Sequence, residues 1–81
     1  MTEPAELQLS KQQRAGLKYV LMIALHEPYQ TDAPALETQA NDFKAAAALA
    51  YRFGFAEIGR DFDIRARIAR GKTWETTETH I

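Results

Sequence analysis

Two histidines, a single serine, no cysteine and eleven carboxylates are the side chains with which this 81-residue chain could do chemistry. His26-Glu27 opens like the zinc-protease motif, in which two histidines four residues apart on a helix hold the metal and the glutamate serves as base. The place of the second histidine is taken by Gln30, and Pro28 breaks the helix that would carry both. His80 is too remote in sequence to complete that motif, so no metal ligand set is expected. The stretch Gly54-Phe-Ala-Glu-Ile-Gly59-Arg60-Asp61 has the glycine spacing of a phosphate-binding loop. It lacks the Lys-Ser/Thr pair that contacts phosphate and magnesium, and a helical pattern precedes it where a strand is required. Those glycines read as a helix terminus and a flexible or closely packed point in the next helix. Nucleophilic catalysis needs an activated Ser, Thr, Cys or Lys beside a base, and Ser10 is placed to cap a helix. Asp61 and Asp63, two apart, point about 160° away from each other on a helix and cannot share a substrate. The chain is therefore expected not to be an enzyme and to need no cofactor.

What is left is recognition. Residues 51–73 hold six bases (Arg52, Arg60, Arg65, Arg67, Arg70, Lys72) against three acids, whereas residues 1–50 hold four against six. An anionic partner would meet the second half. Ala50 and Gly54 are four apart, with Leu49, Phe53 and Phe55 at neighbouring apolar positions and a basic amphipathic helix following, the arrangement of a helix-turn-helix. The segment Ala50 to Phe62 resembles the second half of AraC-type DNA-binding domains, where a Gly-Phe pair is followed by an aromatic on the recognition helix. It departs from them in that Phe62 falls one residue late, and Glu57 and Asp61 occupy the front of the helix. The resemblance implies a small DNA-binding regulator using Arg60, Arg65 and Arg67 on phosphates or bases.

Three helices must position these groups. Ser10 followed at the third position by Gln13 is a capping-box spacing, and a helix from Lys11 to about Glu27 ends before Pro28. Residues 19–25 are apolar nearly all round, which predicts a central or doubly covered helix. Asp32 is placed to cap a second helix, about 34–53, with Pro34 in its first turn and Gly54 as its terminator. Its best face, Leu36, Ala40, Phe43, Ala47 and Ala50, is a heptad-like seam whose alanines admit a close neighbour. A third helix, about 56–70, has Ile58, Phe62, Ala66 and Ala69 on one face, with Ile64 and Ile68 widening it, ends at Gly71, and carries Arg60, Arg67 and Arg70 on its opposite side. The expected architecture is all-α, a small three-helix bundle over residues 1–71 with helices one and two antiparallel. A Thr-rich flexible tail, 72–81, would be docked through Trp74, and a short extra turn is expected after Pro4.

Length and composition bound the rest. One domain is the limit for a chain of this size. Of the 46% apolar residues, alanines make up a large share, which leaves a modest core for a domain that buries about 60% of its unfolded surface. A net charge of −1 provides no field toward nucleic acid or anionic lipid. The longest apolar run, Tyr19 to Leu25, is far short of the roughly 20 residues that span a bilayer. A secretory signal is disfavoured by Glu3 and Glu6 in the would-be basic region, and the absence of cysteine fits a reducing compartment. The protein is read as cytoplasmic, with no membrane association. The expected function is a non-catalytic protein–protein interaction module, a small helical adaptor or inhibitor of the phage or accessory-gene type, and the alternative is the helix-turn-helix regulator. Contact is expected through Tyr19, Met22, Tyr51 and Trp74 as anchors and Arg60, Arg67 and Arg70 toward an acidic partner. A homodimer is expected, because helix one and the alanine seam present more apolar surface than a three-helix monomer can hide.

Overall fold

The structure, a computed structural model, describes residues 8–78 and consists of three helices there: α1 (Lys11–Leu25), α2 (Ala33–Arg52) and α3 (Ala56–Glu78). The all-α architecture agrees with the sequence reading, and so do the caps. The Ser10 hydroxyl accepts from the Gln13 N–H at 3.1 Å, and the Gln13 side-chain oxygen accepts from the Ser10 N–H at 2.9 Å, a complete capping box. The Asp32 carboxylate accepts from the Ala35 N–H at 2.8 Å, with Pro34 in the first turn of α2. At the other end Gly54 adopts φ 86°, its N–H donates to the Tyr51 carbonyl at 3.1 Å, and the Phe55 N–H donates to the Ala50 carbonyl at 2.8 Å. Those two bonds satisfy the last carbonyls of α2 in a Schellman turn, and they swing Phe55 back against the core.

α2 and α3 form an antiparallel hairpin in contact along most of their length. Tyr51 lies on Gly59 and reaches Asp63, Phe43 meets Phe62, Asn41 meets Arg70, and Glu37 lies beside Trp74. Numbers falling on α2 against numbers rising on α3 fix the direction. Leu36, Ala40, Phe43, Ala47 and Ala50 of α2 and Ile58, Phe62, Ala66 and Ala69 of α3 are all buried, so both predicted faces are core. Alanine at five of these nine positions lets the backbones approach closely, leaving Leu36, Phe43, Ile58 and Phe62 to fill the volume.

Two expectations are corrected. α1 is not central: its buried side chains are Leu21 and Leu25 alone, while Tyr19, Val20 and Ile23 are 68%, 60% and 54% exposed. The reason is the alanine seam, which draws α2 and α3 together so tightly that the centre of the molecule is their interface. α1 is left to cover one side with the stripe Leu17, Leu21, Ala24 and Leu25. It does run opposite to α2, but it packs more on α3, with Arg14 over the Phe55 ring near one end and Leu25 beside Arg65 at the other. The second correction is the end of α3. The helix passes through Gly71 to Glu78, so residues 72–78 are not a separate tail. No proline follows Gly71, and the Thr73 hydroxyl bonds back to the Ala69 carbonyl at 3.0 Å, an interaction that a continuous helix accommodates. Trp74 is 71% exposed and is not the buried anchor expected of it. The turn predicted after Pro4, and residues 79–81 of the predicted tail, lie outside the described residues.

Candidate functional site

The most fully bonded polar cluster is one the sequence reading passed over. Arg65, on the edge of the buried stripe of α3, turns its guanidinium onto the C-terminal end of α1 and donates to the carbonyls of Leu25 and Glu27. Its Nε donates to the Tyr29 hydroxyl at 3.2 Å, and the guanidinium carbon stands 4.4 Å from the Tyr29 ring centre and 4.7 Å from that of Phe43. A cation on the last carbonyls of a helix is favoured both by the unsatisfied acceptors and by the helix dipole. The connection itself is clamped by Gln39. Its side-chain oxygen accepts from the Gln30 N–H at 3.0 Å, and its amide donates to the Pro28 carbonyl at 2.9 Å. Gln39 is the one buried polar residue among the described residues. This cluster holds α1 and its connection to the hairpin, and all three guanidinium nitrogens of Arg65 donate within the chain.

Lys72 joins this cluster, its Nζ 5.3 Å from the Tyr29 ring centre, whereas Arg60, Arg67 and Arg70 lie elsewhere. On the opposite flank of the hairpin two clefts adjoin and share Arg70. One, about 440 Å³, is lined by Glu37, Arg70, Thr73 and Trp74. The other, about 320 Å³, is lined by Lys44, Asp63, Ala66, Arg67 and Arg70. Tyr51 continues the line through its hydroxyl, which donates to Asp63 Oδ2 at 3.3 Å, and Arg70 is steadied by a 3.0 Å bond to Asn41 Oδ1. The Tyr51 ring lies face-down on α3, where the position a Cβ of Gly59 would take is 2.9 Å from three ring carbons. Partial desolvation, then the charge of Asp63 and the hydrogen bond to it, push the Tyr51 phenol above its ordinary pKa, with Arg60 opposing. Lys44, Arg60, Arg67 and Arg70 thus face Glu37 and Asp63, four cations against two carboxylates, between an aromatic at each end. Five of the seven predicted contact residues, Tyr51, Arg60, Arg67, Arg70 and Trp74, are brought to this flank.

Tyr19 and Met22 are not. They lie on α1 with Val20 and Ile23, forming an apolar exposed surface of their own. His26, whose Nδ1 is 2.7 Å from the Met22 carbonyl, is spent on the end of α1. The Ala50–Gly54 spacing belongs to the Schellman turn of an antiparallel hairpin, whereas a helix-turn-helix crosses its helices at about 90–120°. No helix among the described residues is long and apolar enough to cross a membrane. No family model, no curated protein and no solved structure matches the chain.

Proposed function

We propose that this protein is a non-catalytic interaction module of the cytoplasm, a small helical adaptor or inhibitor that binds an acidic amphipathic segment of another protein along the outer flank of the α2/α3 hairpin. The observation that supports this most is the pair of adjoining clefts sharing Arg70, with Lys44 and Arg67 over them, Trp74 at one end and Tyr51 at the other. An exposed tryptophan beside arginines is the composition from which binding hot spots are drawn, because both offer large contact area with directed polar groups. Carboxylates at i, i+3 and i+4 of a docking helix would meet the cations while an apolar residue between them covers Trp74. The antiparallel packing of α2 and α3 and the inward use of Arg65 favour this reading over DNA recognition.

Trp74 is the only tryptophan in the chain and so reports directly on the flank. Titration with an acidic amphipathic peptide of about 18 residues, long enough to hold a helix, is expected to shift the Trp74 emission to the blue. Arg67→Glu with Arg70→Glu is expected to abolish the shift. An unchanged spectrum, together with salt-sensitive binding of a labelled DNA duplex between about 50 and about 200 mM salt, would replace this reading by the helix-turn-helix one.

A further inference from the structure

The outward face of α1 carries a different message from the flank. Tyr19, Val20 and Ile23 are more than half exposed, Met22 is at the margin, and between Lys18 and Glu27 α1 carries no charged side chain. Ile64 of α3 adjoins the end of α1 in a cleft with Leu25, His26 and Pro28 that Glu27, Asp61 and Arg65 also line, and Ile68 follows one turn along, both isoleucines more than 40% exposed. Together these six side chains present on the order of 600 Å² of apolar surface, at the top of the range for the largest patch on a monomer. With a polar rim that is close to the ~800 Å² per partner of a standard interface.

A second, independent observation lies on the same face. Gly16 stands in the middle of α1, where glycine weakens a helix relative to alanine, yet a Cβ there would meet nothing within 4 Å. Nothing among the described residues requires that glycine. Its position is i to Tyr19 at i+3, Val20 at i+4 and Ile23 at i+7, the spacing that places all four on one side of a helix. A glycine on the contact side of a helix permits a neighbouring backbone to come close.

We propose that this face binds a second copy of the chain, the two α1 helices packing across a two-fold axis with Gly16 at the closest approach. A self-complementary surface needs no opposite charge, and this one has none to offer along residues 19–25, whereas a partner selected for charge would meet the other side of the molecule. Each copy would also cover Ile64 and Ile68 of its neighbour or its own flank of the groove, leaving the α2/α3 clefts open. The proposal is independent of what occupies those clefts.

Sedimentation velocity from about 10 to about 500 µM, the range that brackets a micromolar to sub-millimolar Kd, tests it. The weight-average mass is expected to rise from the 9.2 kDa of one chain toward twice that value. Ile23→Glu and, separately, Tyr19→Lys alter exposed side chains and should keep the helical circular dichroism while holding the mass at one chain throughout. Gly16→Leu displaces nothing among the described residues, and it should weaken association at least tenfold with helicity retained. A wild-type chain that stays monomeric at the highest concentration assigns the face to another protein and overturns the proposal. So does a dimer that all three substitutions leave intact.

Discussion

Replacing Arg65 by methionine keeps the aliphatic stem and removes three hydrogen-bond donations and two ring contacts at once. Each bond from a partly solvated guanidinium to a neutral acceptor is worth roughly 1 kcal/mol net, and each ring contact about 0.5 kcal/mol at this exposure. The Glu27 carbonyl is exposed and regains a water when the arginine leaves, so the terms do not add in full. The expected loss is about 2–3 kcal/mol, which for a domain of this size lowers Tm by roughly 10–20 °C. Urea unfolding followed by circular dichroism measures the global part. Amide exchange resolves where it falls: the α1 amides from Lys18 to Leu25 should lose protection first, because α1 is held by Leu21, Leu25 and Arg65 while the α2/α3 seam has its own core. Arg65→Lys retains the charge but not the planar fork, and it should recover less than half of the loss. A change under about 0.5 kcal/mol in both assays, the size expected of an ordinary surface substitution, would refute the assignment of Arg65 as the clamp.

The hairpin makes two further expectations. Ala47→Glu places an unpaired carboxylate in a site 2% exposed and should destabilise by more than 3 kcal/mol, or prevent folding, as read from thermal unfolding; unchanged stability would mean that the seam is not packed as described. The raised Tyr51 pKa means the folded state holds that proton more tightly than the unfolded chain. Stability from this group is therefore present below the ordinary phenol value near 10 and is lost as pH rises through the folded pKa. Asp63→Asn should bring the phenolate absorbance of Tyr51, obtained by difference against Tyr51→Phe, to lower pH. Gly59→Ala should do the same by displacing the ring from Asp63, at little cost in stability because alanine favours the helix by about 1 kcal/mol.

How much of this was legible beforehand follows from the range of the forces involved. Ser10-Gln13, Asp32-Pro34 and Gly54-Phe55 each act within one turn, and the helix starts and the α2 terminus fell where those residues put them. The buried faces of α2 and α3 repeat at helical spacing and could be read by eye. Gly71 misled because a glycine ends a helix only when the following backbone turns away, and here nothing compels it to turn. Arg65 and Gln39 went unnoticed as a clamp because their partners are 36 to 40 and 9 to 11 residues away. There was a signal for both: each is a polar residue set within or beside an apolar stripe, Gln39 between Leu36 and Phe43 and Arg65 between Phe62 and Ala69. The flank clefts depend on the antiparallel register of α2 and α3, which periodicity alone does not specify.

The position of α1 is where local and global physics part. Residues 19–25 are apolar on every side, and burial lowers free energy equally whether the covering atoms belong to the same chain or to another. Sequence can therefore state that the helix is to be covered twice without stating by what. In the structure one side is covered by α3 and α2, and that side is reinforced by polar clamping through Arg65 and Gln39 rather than by a broad apolar contact. In the proposed dimer the other side is covered by a second α1, and the helix becomes the doubly enclosed element its composition specifies. This links the two properties thermodynamically. Association would hold α1 down, apparent stability would rise with chain concentration, and Arg65→Met would weaken association by loosening α1, although the side chain also lines the cleft beside Ile64. A dimer indifferent to Arg65→Met would mean that α1 keeps its place on the hairpin without the clamp.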